Sequence, residues 1–317
     1  MAGTLFLLVC SLLSPGSAAA ATASYTDQTF LRFTASNGLA SQYHVYAAGI
    51  SSTTPPCVVF QFHGDGAYEF KNPSSSYSLG GSNGIVAKSR ERGCITVPVL
   101  TPDKVGSITW WESGSANALY VRELLTKLVA DYRINTQRVW LVGYSGGSQF
   151  ITKYYLPLYS STIRGGAAVV FGGGGAPSRG IEKPYAASLA ASFHMHWFTG
   201  ANDDGRGGSY NALRDAKAGD AHYRARGFST SHEYPANTGH GLSGRFGGVL
   251  AKQLQLFDNR AAPQPPPSTT PAPPTTPWND VLVSARPALR WKANPPSRLT
   301  GSPSPGLRRA SDQGDNG

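Results

Sequence analysis

The stretch RVWLVGYSGGSQF, residues Arg138 to Phe150, decides the reading of this chain. An apolar run, Val139 to Val142, ends abruptly in Gly143-Tyr144-Ser145-Gly146-Gly147. A buried strand needs no serine at its tip, still less one with glycines close on either side. A sharp strand-to-helix turn does. There the backbone is strained and flanking side chains would collide, so glycine is favoured. Such a turn lifts one hydroxyl above the sheet edge. An ordinary glycine-rich turn after a strand fits the same five residues, so the decision passes to the partners a nucleophilic serine needs.

Those partners can be placed because strand-like and helix-like patterns alternate from Ser24 to about Asn259. TFLRFTAS and QYHVYAAG are period-two runs that predict an opening hairpin. CVVFQFHG, CITVPVL, RVWLVG, GGAAVVF, SFHMHWFTG and STSHEYP read as later strands. Between them lie the short helix GIVAKSRERG and a helix over Asn117 to Ile134. The latter carries Val121, Leu124, Leu125, Leu128, Val129 and Tyr132 at helical spacing. SQFITKYYL is predicted as a helix halting before Pro157. Further helices are predicted near Tyr210 to Arg226 and from Phe246 to Phe257. Repeated strand–helix units imply a mainly parallel sheet of about eight strands with helices on both faces, because parallel strands need crossovers.

A serine hydroxyl attacks well only when a base takes its proton, usually a His held by a carboxylate. In a sheet with this elbow the chain order is Ser, acid, His. The acid is expected after the strand two beyond the elbow strand, where HWFTGANDDG offers Asp203 and Asp204. The base is expected after the last strand, where YPANTGHG offers His240 in a glycine-flanked loop. Chain order, strand count and residue type agree on Ser145, Asp203 and His240. His194 and His196 share one strand face at a spacing that could bind metal. No suitable third ligand lies near in sequence, so they read as packed core histidines. No metal or cofactor is expected.

The tetrahedral intermediate of acyl transfer needs preorganised donors for its oxygen. One is the N–H after the serine, Gly146. The other is expected from FHGDGAYEF, where His63-Gly64-Asp65-Gly66 reads as an oxyanion loop with Asp65 or Gly66 donating. FGGGG at Phe171 to Gly175 looks similar but follows the elbow and reads as a loop. Trp110 and Trp111 in SITWWESGSA offer stacking surfaces for a substrate; one indole in the core and one on the surface fits equally. Tyr144, beside the serine, is a further candidate substrate contact.

The totals set the context. The chain has 317 residues, 40% hydrophobic and only 15% charged, with 37 glycines. Low charge with many glycines suits a loop-rich exported protein. The formal net charge of +10 suits an anionic partner, but no basic run with interleaved aromatics accompanies it, so it reads as a solvated surface without nucleic-acid binding. Residues 1–23 read as a signal peptide. Leu5 to Leu13 is apolar but too short to span a bilayer, small residues follow, and no Lys or Arg precedes it. No small residue precedes Cys10, so no lipid or other membrane anchor is expected. Cys57 and Cys94 open predicted neighbouring strands; they are a disulfide pair in an oxidising compartment, or two buried thiols. The catalytic domain is bounded at 24–260. Residues 261–277 form a Pro/Thr-rich linker, since proline lacks the N–H and fixes φ. Residues 278–317, basic and poor in apolar side chains, read as a disordered tail.

Residues 55 to 258 together resemble the α/β-hydrolase superfamily. Within it they are most similar to the secreted polyhydroxybutyrate depolymerase and feruloyl or acetylxylan esterase group. The likeness is carried by YVRELLTKLVADYRINTQRVWLVGYSGG, by HGDG as the oxyanion loop and by TGANDD as a Gly-x-x-Asp acid motif that favours Asp203. Two features depart from the group: Ala116-Asn117 replaces an Asp-containing helix start, and cysteines are fewer. The resemblance implies a secreted serine esterase acting on short acyl, hydroxycinnamoyl or polyester substrates, including esters of plant polysaccharides; a monomer is expected. A serine peptidase on the same fold is the alternative. A non-catalytic binding protein on this scaffold is disfavoured, because every triad position is filled.

Overall fold

The computed structural model describes residues 25–178, 180–208 and 210–261. The signal peptide over 1–23, the tail over 278–317 and all of the linker but Ala261 lie outside the described residues.

The opening hairpin is β1 (Gln28–Thr34) and β2 (Ala40–Val45), paired antiparallel. The sheet continues with β3 (Cys57–Phe62), β4 (Cys94–Val99), β5 (Val139–Tyr144), β6 (Gly166–Phe171), β7 (Phe193–Phe198) and β8 (Ser229–Glu233). The spatial order is β1-β2-β4-β3-β5-β6-β7-β8, with β2 antiparallel to β4 and every later pair parallel. Strands β3, β4, β6 and β7 are buried along their whole length. That is why they read as unbroken apolar runs: both faces are covered, so nothing selects for alternation.

The covering helices are α1 (Tyr68–Lys71), α2 (Ile85–Arg90), α3 (Gly114–Tyr132), α4 (Gly146–Phe150), α5 (Leu156–Tyr159), α6 (Ala187–Ser192), α7 (Ala212–Ala225) and α8 (Phe246–Ala261). Alternate residues of β3 part to the two faces. Val58, Phe60 and Phe62 pack in one cluster with Leu124 and Leu128 of α3. Cys57 and Val59 pack in another with Ile85 of α2 and Leu250 and Leu254 of α8. Cys57 and Cys94 sit opposite each other in the β3–β4 register and are disulfide-bonded, with Cα atoms 4.4 Å apart.

The helix after the elbow differs from expectation. It does not halt before Pro157. A π-helical turn, Ile151–Tyr155, joins α4 to α5, and Pro157 sits at the start of α5. In a continuous α-helix the proline ring would strike the carbonyl four residues back. The wide turn avoids this: the Leu156 N–H donates to the Ile151 carbonyl, one residue further back than an α-helix allows. Burial of Phe150, Ile151, Tyr155 and Leu156 in the core holds the turn in place.

Candidate active site

The C-terminal ends of β3, β5, β7 and β8 open on one edge of the sheet, and each carries a residue expected from the sequence. Ser145 follows β5 at φ 50°, ψ −112°, a conformation that costs a non-glycine residue about 1–3 kcal/mol. The strain persists because the turn is over-determined. The Ser145 N–H donates to the Phe171 carbonyl at 2.9 Å, and the Gln149 N–H to the Ser145 carbonyl at 3.1 Å. The Ser148 hydroxyl lies 2.8 Å from the carbonyl oxygens of both Gly143 and Phe171 and accepts from the Phe171 N–H at 3.0 Å. Gly147 must be glycine: a Cβ there would stand 2.2 Å from the Phe62 carbonyl oxygen.

Ser145, His240 and Asp203 form one hydrogen-bonded chain. His240 Nε2 lies 2.9 Å from Ser145 Oγ, and His240 Nδ1 lies 2.7 Å from Asp203 Oδ2. A carboxylate only accepts, so Nδ1 carries the proton and Nε2 is left to accept from the serine. Asp203 is 6% exposed. The neighbouring Asp204 turns elsewhere, accepting from the Arg206 N–H and pairing with its guanidinium at 2.9 Å. The acid and histidine loops are stitched together, since the Asn202 N–H donates to the Thr238 carbonyl at 2.9 Å.

The loop after β3 is fixed by a buried histidine. His63 Nδ1 lies 2.7 Å from the Gly64 carbonyl oxygen, and Nε2 accepts from the Thr101 N–H at 3.1 Å. Burial lowers its pKa to about 4, so it stays neutral and serves as donor at Nδ1 and acceptor at Nε2. The Ala67 N–H also donates to the Gly64 carbonyl, at 3.0 Å. The trans peptide then sets the Asp65 N–H on the opposite side, and it has no acceptor among the described residues. Gly66, the other expected donor, is corrected: its N–H already donates to the carbonyls of Ser107 (2.9 Å) and Ile108 (3.2 Å). The two donors left are the N–H groups of Asp65 and Gly146, the latter the first of α4 and without an intrahelical acceptor.

A pocket of about 370 Å³ opens beside the serine. It is lined by Asp65, Trp111, Ser145, Gly146, Gln149, Lys153, Tyr154, Tyr210 and His240. Two expected substrate contacts are corrected. Trp110 is fully buried, with its ring 4.7 Å from Phe150 and 5.2 Å from Phe62. Trp111 is the exposed member of the pair, and its indole N–H donates to Asp65 Oδ2 at 3.2 Å. Thr109 Oγ1 donates to Asp65 Oδ1 at 2.6 Å. Tyr144 does not line the pocket. Its hydroxyl donates to the His240 carbonyl at 2.9 Å and its ring packs against Phe246, so it holds the histidine loop from behind.

His194 and His196 lie on β7 against β8: His194 Nε2 and His196 Nδ1 are each 2.8 Å from the Ser231 hydroxyl. Among the described residues there is no cluster of metal-binding side chains, and no helix is long and apolar enough to cross a membrane. Gln149, Lys153, Tyr154 and Tyr210 were not anticipated. One signal was available: Ser145, Gln149 and Lys153 stand at four-residue steps, the spacing that gathers side chains on one helix face.

No protein-family model matches the chain, and neither does any curated protein. Solved structures do. The carboxylesterase from Mesorhizobium loti superposes with a TM-score of 0.54 at 14% identity, over 73% of this chain and 99% of that one. A puromycin hydrolase superposes at 0.51 and 13% identity, over 74% of this chain but only 39% of that one. A puromycin-hydrolyzing peptidase from Mycobacterium tuberculosis gives 0.50 and 13%, over 76% and 40%. At such identities the likeness speaks for the fold alone. With the strand order and the elbow after β5, it gives this chain the α/β-hydrolase fold.

Proposed function

We propose that the protein is a serine hydrolase of carboxylic esters. The observation that carries the reading is the continuous chain Ser145–His240–Asp203 at the mouth of a pocket. In this reading Ser145 Oγ attacks the ester carbonyl carbon while His240 Nε2 takes its proton. Asp203 stabilises the imidazolium and keeps the ring in the working tautomer. The carbonyl electron pair moves to oxygen, facing the N–H groups of Asp65 and Gly146. Collapse expels the alcohol, which leaves with the proton from His240. Water, deprotonated by His240, then attacks the acyl-enzyme, and the acid departs as Ser145 regains its proton.

Esters are taken over peptides on the resemblance of the sequence to secreted esterases, and the pocket of about 370 Å³ beside Ser145 has room for an acyl or alcohol group. The preferred acyl groups are short or hydroxycinnamoyl, borne on a small alcohol or projecting from a polysaccharide or polyester. The reading includes export: the Cys57–Cys94 bridge suits an oxidising compartment.

The test is a fluorophosphonate label followed by an ester panel. The adduct is expected on Ser145. Ser145→Ala should stay folded and lose several orders of magnitude of turnover, roughly 10³–10⁶-fold. A label elsewhere, or full activity in the variant, refutes the role of Ser145. Faster cleavage of a peptide anilide than of any ester in the panel would establish the peptidase alternative instead.

A further inference from the structure

The pocket has one strongly polar wall that the hydrolytic chemistry does not use. Asp215 stands in the first turn of α7. Its Oδ2 accepts from Gln149 Nε2 at 3.0 Å, from Lys153 Nζ at 3.2 Å and from the Tyr210 hydroxyl at 3.3 Å. Gln149 is held at both ends of its amide, since its Oε1 accepts from the Gly175 N–H at 3.2 Å. The glycine loop after β6 makes room for this arrangement. A Cβ on Gly173 would lie 2.7 Å from the Tyr210 hydroxyl, and one on Gly175 would lie 2.8 Å from Lys153 Cε.

Lys153 is the unsatisfied member. An ammonium has three N–H donors. Among the described residues its only hydrogen-bond acceptor is Asp215. Two donors therefore remain for water or for whatever fills the pocket.

Charge decides what that is. Asp215 pairs with Lys153 and also, at 3.8 Å, with the exposed Arg214, so its one negative charge is set against two cations. A second carboxylate, Asp65, lines the same pocket and is met by two neutral donors, Thr109 and Trp111. A carboxylate ligand would find no net positive charge here. An alkyl chain would strip water from the ammonium and return nothing, which is costly. A neutral oxygen satisfies the free donors without adding charge. We propose that Lys153, positioned by Asp215 and Gln149, recognises a neutral oxygen acceptor (a hydroxyl, an ether or a second ester carbonyl) on the substrate group that fills the pocket beside Ser145. This inference rests on the esterase reading above. It makes Lys153 the residue that separates oxygenated esters from their plain alkyl or aryl counterparts.

The test uses matched esters: methyl phenylpropanoate against its para-hydroxy analogue, and methyl butyrate against its beta-hydroxy analogue. In the wild type the oxygenated member of at least one pair should have a kcat/KM higher by about tenfold, the value of one hydrogen bond to a charged donor. Lys153→Met keeps the apolar stem and removes the donors, and should bring that ratio close to one. Lys153→Arg restores donors and should restore the preference. A wild-type ratio near one in both pairs overturns the inference even if a variant fails to fold. So does a preference that survives in Lys153→Met, or an equal loss on both members of a pair, which would mark a merely structural lysine. If the wild type is labelled at Ser145 yet hydrolyses none of the four esters, the esterase reading itself fails and this inference falls with it.

Discussion

His63 should make the fold acid-sensitive, in a pH window that can be worked out. Its ring is fully buried, and burial lowers its pKa from 6.5 to about 4. Above pH 6.5 the histidine is neutral in both folded and unfolded chains and pH has no effect through it. Between 6.5 and 4 the unfolded chain takes up a proton that the native chain refuses. Stability through this group is therefore intact above the unfolded pKa and is lost as pH falls toward the folded one. The gap between 6.5 and about 4 amounts to ~3 kcal/mol at 1.36 kcal/mol per unit, a large share of a domain's typical ~5–15 kcal/mol. The perturbation is His63→Asn, which removes the titration and keeps an amide that can donate toward the Gly64 carbonyl. The assay is urea unfolding from about pH 7.5 down to about pH 4.5. The variant should be weaker at neutral pH, and its disadvantage should shrink by roughly 2–3 kcal/mol at the acid end. His196, also lowered to about 4 by burial, remains in both proteins and cancels in the difference. Glu69, whose carboxyl burial pushes up, accepts from the Gly64 N–H, so Glu69→Gln in both backgrounds is the control that isolates His63. Parallel stability curves would refute the argument, because they would mean that His63 titrates alike in both states.

Asp203→Asn should cut kcat strongly, about 10⁴-fold, because an amide can favour the wrong imidazole tautomer. Asp204→Asn breaks only the contact with Arg206 and should cost less than threefold, within ~0.5 kcal/mol; the reverse ranking in steady-state kinetics would move the role to Asp204. Tyr144→Phe keeps the ring against Phe246 and removes the hydrogen bond to the His240 carbonyl. It should lower kcat by about three- to tenfold, for ~1 kcal/mol of lost positioning, with KM little changed. A rise in KM alone would return Tyr144 to substrate binding.

How far the sequence could be read depended on how tightly backbone geometry constrains residue type. Ser145 and its glycines were legible because few side chains tolerate that turn. The acid and the base were legible because topology fixes the strand each must follow, and they stand after β7 and β8 as the strand count requires. The choice between the donors Asp65 and Gly66 was not legible. It turns on a hydrogen bond from Gly66 to a loop some forty residues away in the chain. The division of Trp110 and Trp111 between core and surface lay in a loop with no periodicity to read. The polar wall was hidden for another reason: Asp215 and Tyr210 come from the far side of β7, and only the folded chain sets them against Gln149 and Lys153. The FGGGG run read as a plain loop because its purpose, room for Tyr210 and Lys153, is set by side chains remote in sequence.

The π turn at Ile151–Tyr155 gives the nucleophile helix a mechanical property that a regular helix lacks. One residue more or less in an α-helix rotates everything beyond it by about 100°. Upstream of the turn, angular phase is dictated by Ser145; downstream, it is dictated by Leu156 and Pro157 seated in the core. The widened turn is a slip joint between two phases that would otherwise conflict. Forcing it into regular α geometry with the same number of residues should compel a choice between a misaimed serine and an unseated core. Leaving it intact lets the pocket-facing side chains at positions 149, 153 and 154 be exchanged to redirect specificity while the packing beyond them keeps its phase.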